Sequence, residues 1–161
     1  MGYLEKNQVK AKSYLEKYPI KEDWITKEIT DEAIRYAHDF AKHLAKEHDE
    51  EDEDGKVSVA LTTSQLRKFF GAVKSLQIAG VSQSKTDLVM LKPKLAYAKG
   101  RVKQNKPGVD SYRISDFCDV MTEAIDYVIK SRDTEMERSF KNFVNFFEAV
   151  VAYHKVYGKD K

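Results

Sequence analysis

Apolar residues recur at helical spacing through most of this sequence, and that periodicity restricts the fold more than any other feature. The last segment is the clearest case, since its apolar stripe runs until Gly158 and consists of Phe140, Phe143, Val144, Phe147, Val150 and Val151. This spacing puts side chains on one face of an α-helix, whereas a half-buried strand needs strict alternation. Strand-like alternation is confined to residues 57–61. The pattern therefore predicts an all-α protein, folded as a single bundle of five to six helices.

Polar signals predict where two of these helices begin. Thr62 and Gln65 have the spacing of a capping box, in which each side chain bonds a free backbone N–H group of the first turn. That helix should reach about residue 78 and end at Gly80. Thr134 and Glu137 repeat the capping-box spacing before the last helix. Both sites are predicted helix starts.

Four further segments are predicted helices, namely residues 3–17, 31–45, 87–104 and 117–128. Pro93 lies within the third of them, and it either starts a helix at its first turn or kinks a longer one. Residues 106–108 read Lys-Pro-Gly and predict a turn.

The length of 161 residues suits one domain. We divide the chain into an N-terminal extension, residues 1–20, which includes the first predicted helix, and a helical domain, residues 21–161, with a solvated acidic loop at 47–56. Cys118 is the single cysteine and lies in an apolar run, which predicts a buried thiol and a cytoplasmic protein. No run approaches the roughly 20 apolar residues that span a bilayer, so no membrane partner is expected.

Patterns that would indicate catalysis or metal binding are incomplete. Residues 50–55 imitate the first half of a calcium loop, but Leu61 stands where the loop needs a glutamate. The histidines lack zinc-site spacing, and neither a phosphate loop nor a nucleophile elbow occurs. His154 is predicted to be a partly buried aromatic with one hydrogen bond. We therefore expect no enzyme, no metal and no cofactor.

Charge is distributed unevenly along the chain. Residues 1–60 carry 10 Lys and Arg against 15 Asp and Glu, whereas residues 61–161 carry 18 against 11. Residues 67–106 hold ten cations and one acid, Asp87. A helix that needed only solubility would mix Glu with Lys, because unmatched cations repel one another unless a polyanion neutralises them. This region predicts a surface for a phosphate backbone or for an acidic protein.

Within that region, the helix after Leu91 carries two basic stripes beside one apolar stripe. Lys92 and Lys99 share one face with Lys103, while Lys94, Tyr97 and Arg101 share another. A solvated helix face is the simplest interpretation of such lysines. The lack of acids favours the phosphate backbone instead.

Three segments of the sequence read LTTSQLRKF at 61–69, LKPKLAYAKGR at 91–101 and FVxFFEAVVAYHK at 143–155. Together they resemble the small subunit of the type III-A CRISPR effector, the Csm complex. Their order and spacing match that family, and the resemblance extends from about Trp24 to Gly158. The acidic loop and residues 1–20 lie outside the pattern.

The resemblance implies a helical, non-catalytic subunit that is present in more than one copy and lies beside guide RNA (crRNA) and target RNA, while other Csm subunits do the cutting. Carried over to this chain, it implies phosphate contacts from Arg67, Lys68, Lys74, Lys92, Lys94, Lys99 and Arg101. Tyr97 either contacts the RNA or packs beneath these cations. The alternative is a helical protein–protein interaction module whose basic face meets an acidic protein surface.

Overall fold

The computed structural model of the chain describes residues 13–46, 58–81, 85–109 and 111–158. Within these ranges the α-helices are α1 (Tyr14–Lys17), α2 (Glu22–Thr26), α3 (Asp31–Ala45), α4 (Thr63–Ala79), α5 (Lys85–Asn105), α6 (Arg113–Lys130) and α7 (Met136–Tyr157). A 3₁₀-helix (Asp133–Glu135) precedes α7, and the strands β1 (Ser58–Val59) and β2 (Ser111–Tyr112) have two residues each. The all-α prediction is confirmed, with seven helices in the described ranges rather than five to six. The unpredicted helix is α2, which is too short to show periodicity.

The central helix of the bundle is α7, which packs against α2, α3, α4 and α6. The predicted stripe is buried at Phe140, Phe143 and Phe147, and Phe146 outside that stripe is buried as well. Because neighbours surround α7, it must present apolar side chains in more than one direction. Its largest contact is with α3, whose Ala33, Ala37 and Ala41 are all fully buried.

Asn142 of α7 holds the short helix α2 in place. Its Nδ2 donates to the carbonyl oxygens of Ile25, at 2.9 Å, and Lys27, at 3.1 Å. Carbonyl groups at the end of a helix have no partner within it, so a buried end needs such a donor. Trp24 and Ile25 then bury their side chains in the common core. The two buried side chains and the two hydrogen bonds from Asn142 together anchor α2.

The first predicted capping box is confirmed. The backbone N–H of Gln65 donates to Thr62 Oγ1 at 3.1 Å, and the backbone N–H of Thr62 donates to Gln65 Oε1 at 2.8 Å. The helix ends as predicted at Gly80, whose φ of +91° is a conformation that glycine adopts without steric cost. Both ends of α4 follow from local sequence.

The second predicted capping box is wrong. Thr134 lies inside the 3₁₀-helix, and α7 begins at Met136 with Glu135 as its N-cap, whose side chain makes no capping hydrogen bond. The chain enters α7 through a tighter turn, in which the N–H of Glu135 bonds the carbonyl of Arg132 at 2.8 Å. That turn shifts the helix start past the position that the Thr134 pattern requires.

The strand-like residues before α4 form β1, which pairs in parallel with β2. β2 was not predicted, since two residues carry no alternation signal. Near this pair, His154 is fully buried rather than partly buried as predicted, and its Nε2 lies 2.7 Å from the carbonyl oxygen of Leu61. Its Nδ1 lies 3.4 Å from Thr63 Oγ1. A buried imidazole needs such partners, and these tie α7 to Leu61 and to the first residue of α4.

The predicted helix at residues 3–17 is described only from residue 13, and its end forms α1. The Tyr14 ring stacks on His43 of α3 with centroids 4.5 Å apart. Asp116 of α6 accepts from the N–H of Tyr14 at 3.4 Å and lies 2.7 Å from His43 Nε2. The acidic loop and its calcium-like residues lie outside the described ranges, and the domain boundary at residue 20 stays a prediction.

Cys118 is buried as predicted, and its thiol donates to the carbonyl oxygen of Leu95 at 3.3 Å. Burial raises the pKa of this thiol to about 11, an effect that nearby Lys99 opposes. A thiol with a raised pKa is a poor nucleophile at neutral pH, so its role here is packing. None of the helices in the described ranges has both the length and the apolar content needed to cross a bilayer.

Candidate nucleic-acid interface

Five of the predicted RNA contacts lie on α5, and a single apolar stripe packs this helix against the rest of the bundle. Leu88, Leu91 and Leu95 are buried, and α5 makes its main contact with α6. Pro93 lies inside this helix rather than at its first turn, so the longer-helix alternative is correct. Proline lacks the N–H that would bond the carbonyl four residues earlier. The Pro93 side chain is exposed, so its ring displaces no core residue.

One flank of α5 carries Lys94, Tyr97 and Arg101, which we call the outer stripe. All three side chains are exposed, and Tyr97 is 69% exposed. The Arg101 guanidinium carbon lies 6.0 Å from the centre of the Tyr97 ring, so the two side chains are neighbours. In the described part of the chain, no carboxylate lies within ion-pair distance of Lys94 or Arg101. The outer stripe is positive and open to solvent.

The other flank carries Lys92 and Lys99, which we call the inner edge. Lys92 Nζ lies 2.7 Å from Asp126 Oδ1 of α6, in an ion pair with both side chains about one-third exposed. Lys99 acts on the Asp119 carboxyl of α6, because burial raises the pKa of that group and the positive charge of Lys99 opposes the rise. The helix that supports the inner edge therefore also supplies its counter-charges.

A groove of about 490 Å³ runs along the inner edge, between α5, α6 and residues 13–16. The charged residues that line it are Glu16, Lys92, Lys99, Asp119, Glu123 and Asp126. Burial raises the pKa of the Asp119 carboxyl; Lys99 acts to lower it, and Asp116 and Glu16 add to the rise. Acids outnumber cations in this groove, so its field does not favour a polyanion.

The remaining candidates lie on α4, which packs mainly on α7, whereas α5 packs mainly on α6. Arg67, Lys68 and Lys74 are all exposed. Lys74 Nζ donates to Gln77 Oε1 at 2.9 Å and lies 5.9 Å from the centre of the Phe70 ring. Arg67 and Lys74 are seven residues apart and share one side of α4, while Lys68 points to another. The eight predicted residues thus fall into three sets.

A comparison with protein families matches residues 27–160 to the Csm2 Type III-A family. The chain belongs to this Csm2 family. It is thereby a small subunit of the type III-A Csm complex, as the sequence resemblance predicted, and other Csm subunits are its partners. The comparisons with curated proteins and with solved structures returned no match.

The Csm2 match covers α3 to α7 and all eight predicted contact residues, and it leaves α1 and α2 outside. Two features of the surface were missed by sequence reasoning. Met90 is 47% exposed and extends the outer stripe by one turn, which its four-residue spacing from Lys94 could have indicated. The partner of Lys92 could not have been found, since Asp126 lies 34 residues away.

Proposed function

We propose that this protein is a non-catalytic subunit that binds the sugar-phosphate backbone of guide and target RNA without reading sequence. The observation that carries the proposal is the outer stripe, where Lys94, Tyr97 and Arg101 are exposed and the cations lack a carboxylate partner in the described part of the chain. Exposed, uncompensated cations on one helix face are what a phosphate backbone requires. As part of a Csm complex, the subunit would act in the cytoplasm, while other subunits cut RNA.

Arg67, Lys68 and Lys74 on α4 form a second proposed contact surface, since each is exposed. Lys92 and Lys99 carry less of the proposed binding, because the inner edge already lies beside the α6 carboxylates. An RNA phosphate at Lys92 would have to compete with Asp126 and would meet the acidic groove. The proposal therefore ranks the outer stripe first, α4 second and the inner edge last.

Backbone contacts of this kind give binding that depends on salt and not on sequence. For single strands, log affinity falls with log salt concentration with a slope of roughly −0.7 per phosphate neutralised. A single copy with few contacts binds weakly, on the order of 10⁻⁴ to 10⁻⁶ M at physiological salt. Further copies on the same strand would add avidity, which suits a subunit that must accept any guide sequence.

The test measures fluorescence anisotropy of labelled, unstructured RNA across a salt series. The variant is Lys94→Ala/Arg101→Ala, and the matched control is Lys141→Ala/Lys155→Ala, which removes the same charge from exposed positions on α7. The outer-stripe variant should bind more weakly to every sequence, with a salt slope shallower by about 1.4 for two lost contacts. The control should keep most of the wild-type slope.

Equal losses in the two variants would mean that net charge, and not the outer stripe, governs binding. No binding by the wild type at the lowest salt would remove the proposal. Incubation with labelled RNA and Mg²⁺ or Mn²⁺ tests the non-catalytic part, where we expect intact RNA. Cleavage that disappears on mutation of one acid or histidine would contradict it.

The second candidate function is a protein–protein interaction module without direct RNA contact. It is favoured by the apolar side chains that α5 exposes, Val89 at 41% and Met90 at 47%. Exposed apolar residues beside cations also suit a protein interface. Competition separates the two functions, because excess RNA of arbitrary sequence should occupy an RNA site but leave a specific protein interface intact.

A further inference from the structure

Tyr97 is the most exposed aromatic side chain in the described ranges. It projects from α5 while Leu91 and Leu95 of the same helix are buried, and it is 69% exposed even with the Arg101 guanidinium beside its ring. A large aromatic ring left in water can gain free energy when a flat apolar partner covers it. The ring is therefore available to a ligand.

The helical neighbours of Tyr97 differ sharply between its two sides. Lys94 and Arg101, three residues before and four after, put positive charge on one side. Pro93 and Gly100, four residues before and three after, occupy the other side and carry no long side chain. A Cβ atom added at Gly100 would meet nothing within 4 Å. One side of the ring is cationic, and the other is an open shelf.

We propose that Tyr97 and the shelf at Gly100 form a stacking platform for one unpaired RNA base, whose neighbouring phosphates contact Lys94 and Arg101. The inference rests on the proposed RNA binding and adds that the site selects unpaired RNA. Aromatic side chains beside a basic groove bind single strands in this way, and stacking tolerates any base because each base has a π face. In a duplex the bases are already stacked and paired, so the ring would find no partner.

Three variants test separately how the aromatic ring, its apolar area and the shelf contribute to RNA binding. Tyr97→Phe keeps the ring and removes the hydroxyl, whereas Tyr97→Leu keeps apolar area and removes the ring. Gly100→Leu covers the shelf without changing charge or ring. Glycine is the poorest helix former after proline, so the change should not weaken α5, and Gly100→Ala is its size control. Circular dichroism and thermal unfolding verify that each variant folds.

Each variant is titrated against three RNAs of equal length: labelled oligouridine, the same backbone with abasic sites, and a duplex. The wild type should prefer oligouridine. Tyr97→Leu and Gly100→Leu should each bind oligouridine roughly tenfold more weakly, as expected for loss of one stacked base. Both should bind the abasic strand as the wild type does. Tyr97→Phe and Gly100→Ala should stay close to the wild type on all three RNAs.

Wild-type-like binding of oligouridine by Tyr97→Leu and Gly100→Leu would overturn the platform, as would equal wild-type affinity for oligouridine, abasic strand and duplex. In either case, a loss of salt-sensitive binding in Lys94→Ala/Arg101→Ala would leave the backbone function standing. Absence of binding to all three RNAs by the wild type would remove both proposals together.

Discussion

α5 and α7 have nearly the same length, 21 and 22 residues, but the bundle uses them in opposite ways. α7 is surrounded by four helices and buries ten residues, including polar Ser139, Asn142 and His154. α5 buries three residues, all leucines, and leaves basic and apolar side chains in solvent. Packing therefore constrains many positions of α7, whereas most side chains of α5 are exposed.

The largest expected effect is on stability, when one aromatic side chain on each of the two helices is truncated. Phe143→Ala in α7 should lower the free energy of unfolding by about 3–5 kcal/mol, because it leaves a cavity among fully buried side chains. Tyr97→Ala in α5 should change it by less than about 0.5 kcal/mol, since that ring is exposed. Urea unfolding of both variants measures the difference. Equal losses would mean that α5 is as much a core helix as α7.

A second comparison tests the polar anchor between α7 and α2. Asn142→Leu removes the donor to the Ile25 and Lys27 carbonyls and should cost about 1–3 kcal/mol, the price of unsatisfied buried polar groups. Asn145→Leu is the control, because Asn145 is exposed one turn further along α7. Trp24 is the single tryptophan and lies buried in α2, so its emission reports whether that helix loosens. An unshifted spectrum with full stability would show that α2 does not need Asn142, and that apolar packing and the bond from Arg138 to the Thr26 carbonyl hold it.

A third comparison uses the two capping-box sequences, only one of which caps a helix. Thr62→Ala should destabilise the protein by about 1 kcal/mol, since it removes the acceptor for the Gln65 N–H. Thr134→Ala should have almost no effect, because Thr134 is exposed within the 3₁₀-helix. Thermal unfolding of the pair measures the contrast. Similar losses would indicate that Thr134 contributes to the start of α7 by another contact.

These capping sequences also show how far local sequence determines the fold. The long helices were predicted because each has an apolar stripe that extends over several turns. The capping box of Thr62 and Gln65 was predicted because it involves only residues at the start of its own helix. The start of α7 was mispredicted because the residues expected to cap it form the 3₁₀-helix that precedes it. α2 was missed because its five residues are too few to show a period, and the Asn142 side chain that bonds its carbonyl groups lies more than a hundred residues away. Local patterns predict long elements, and they fail where an element is short or is held by a residue far away in the sequence.

The same limit applies to the candidate interface. Sequence spacing separates Lys92 and Lys99 from Lys94 and Arg101, and the structure keeps this division. What spacing does not provide is the charge opposite each stripe, because the α6 acids reach the inner edge only in the folded bundle. Helical geometry therefore predicts which cations share a face, and tertiary packing decides which of them have a carboxylate neighbour.

The smallest expected effect tests the division of α5 into an inner edge and an outer stripe. A double-mutant cycle of Lys92→Ala and Asp126→Ala should give a coupling free energy between roughly 0.2 and 1 kcal/mol, limited because the pair is partly exposed and screened by solvent. The coupling should shrink as salt rises. The matched cycle of Lys94→Ala and Asp126→Ala should give a value near zero, because Lys94 lies on the opposite flank.

The result bears directly on RNA binding. If Lys92 is coupled to Asp126, the charge of Lys92 is already balanced within the protein, and Lys92→Ala should change the salt slope of RNA binding less than Lys94→Ala does. If the two cycles give the same coupling, Lys92 is as free as Lys94. The inner edge would then join the outer stripe as one continuous basic surface, and RNA would have to cross α5 and approach the acidic groove.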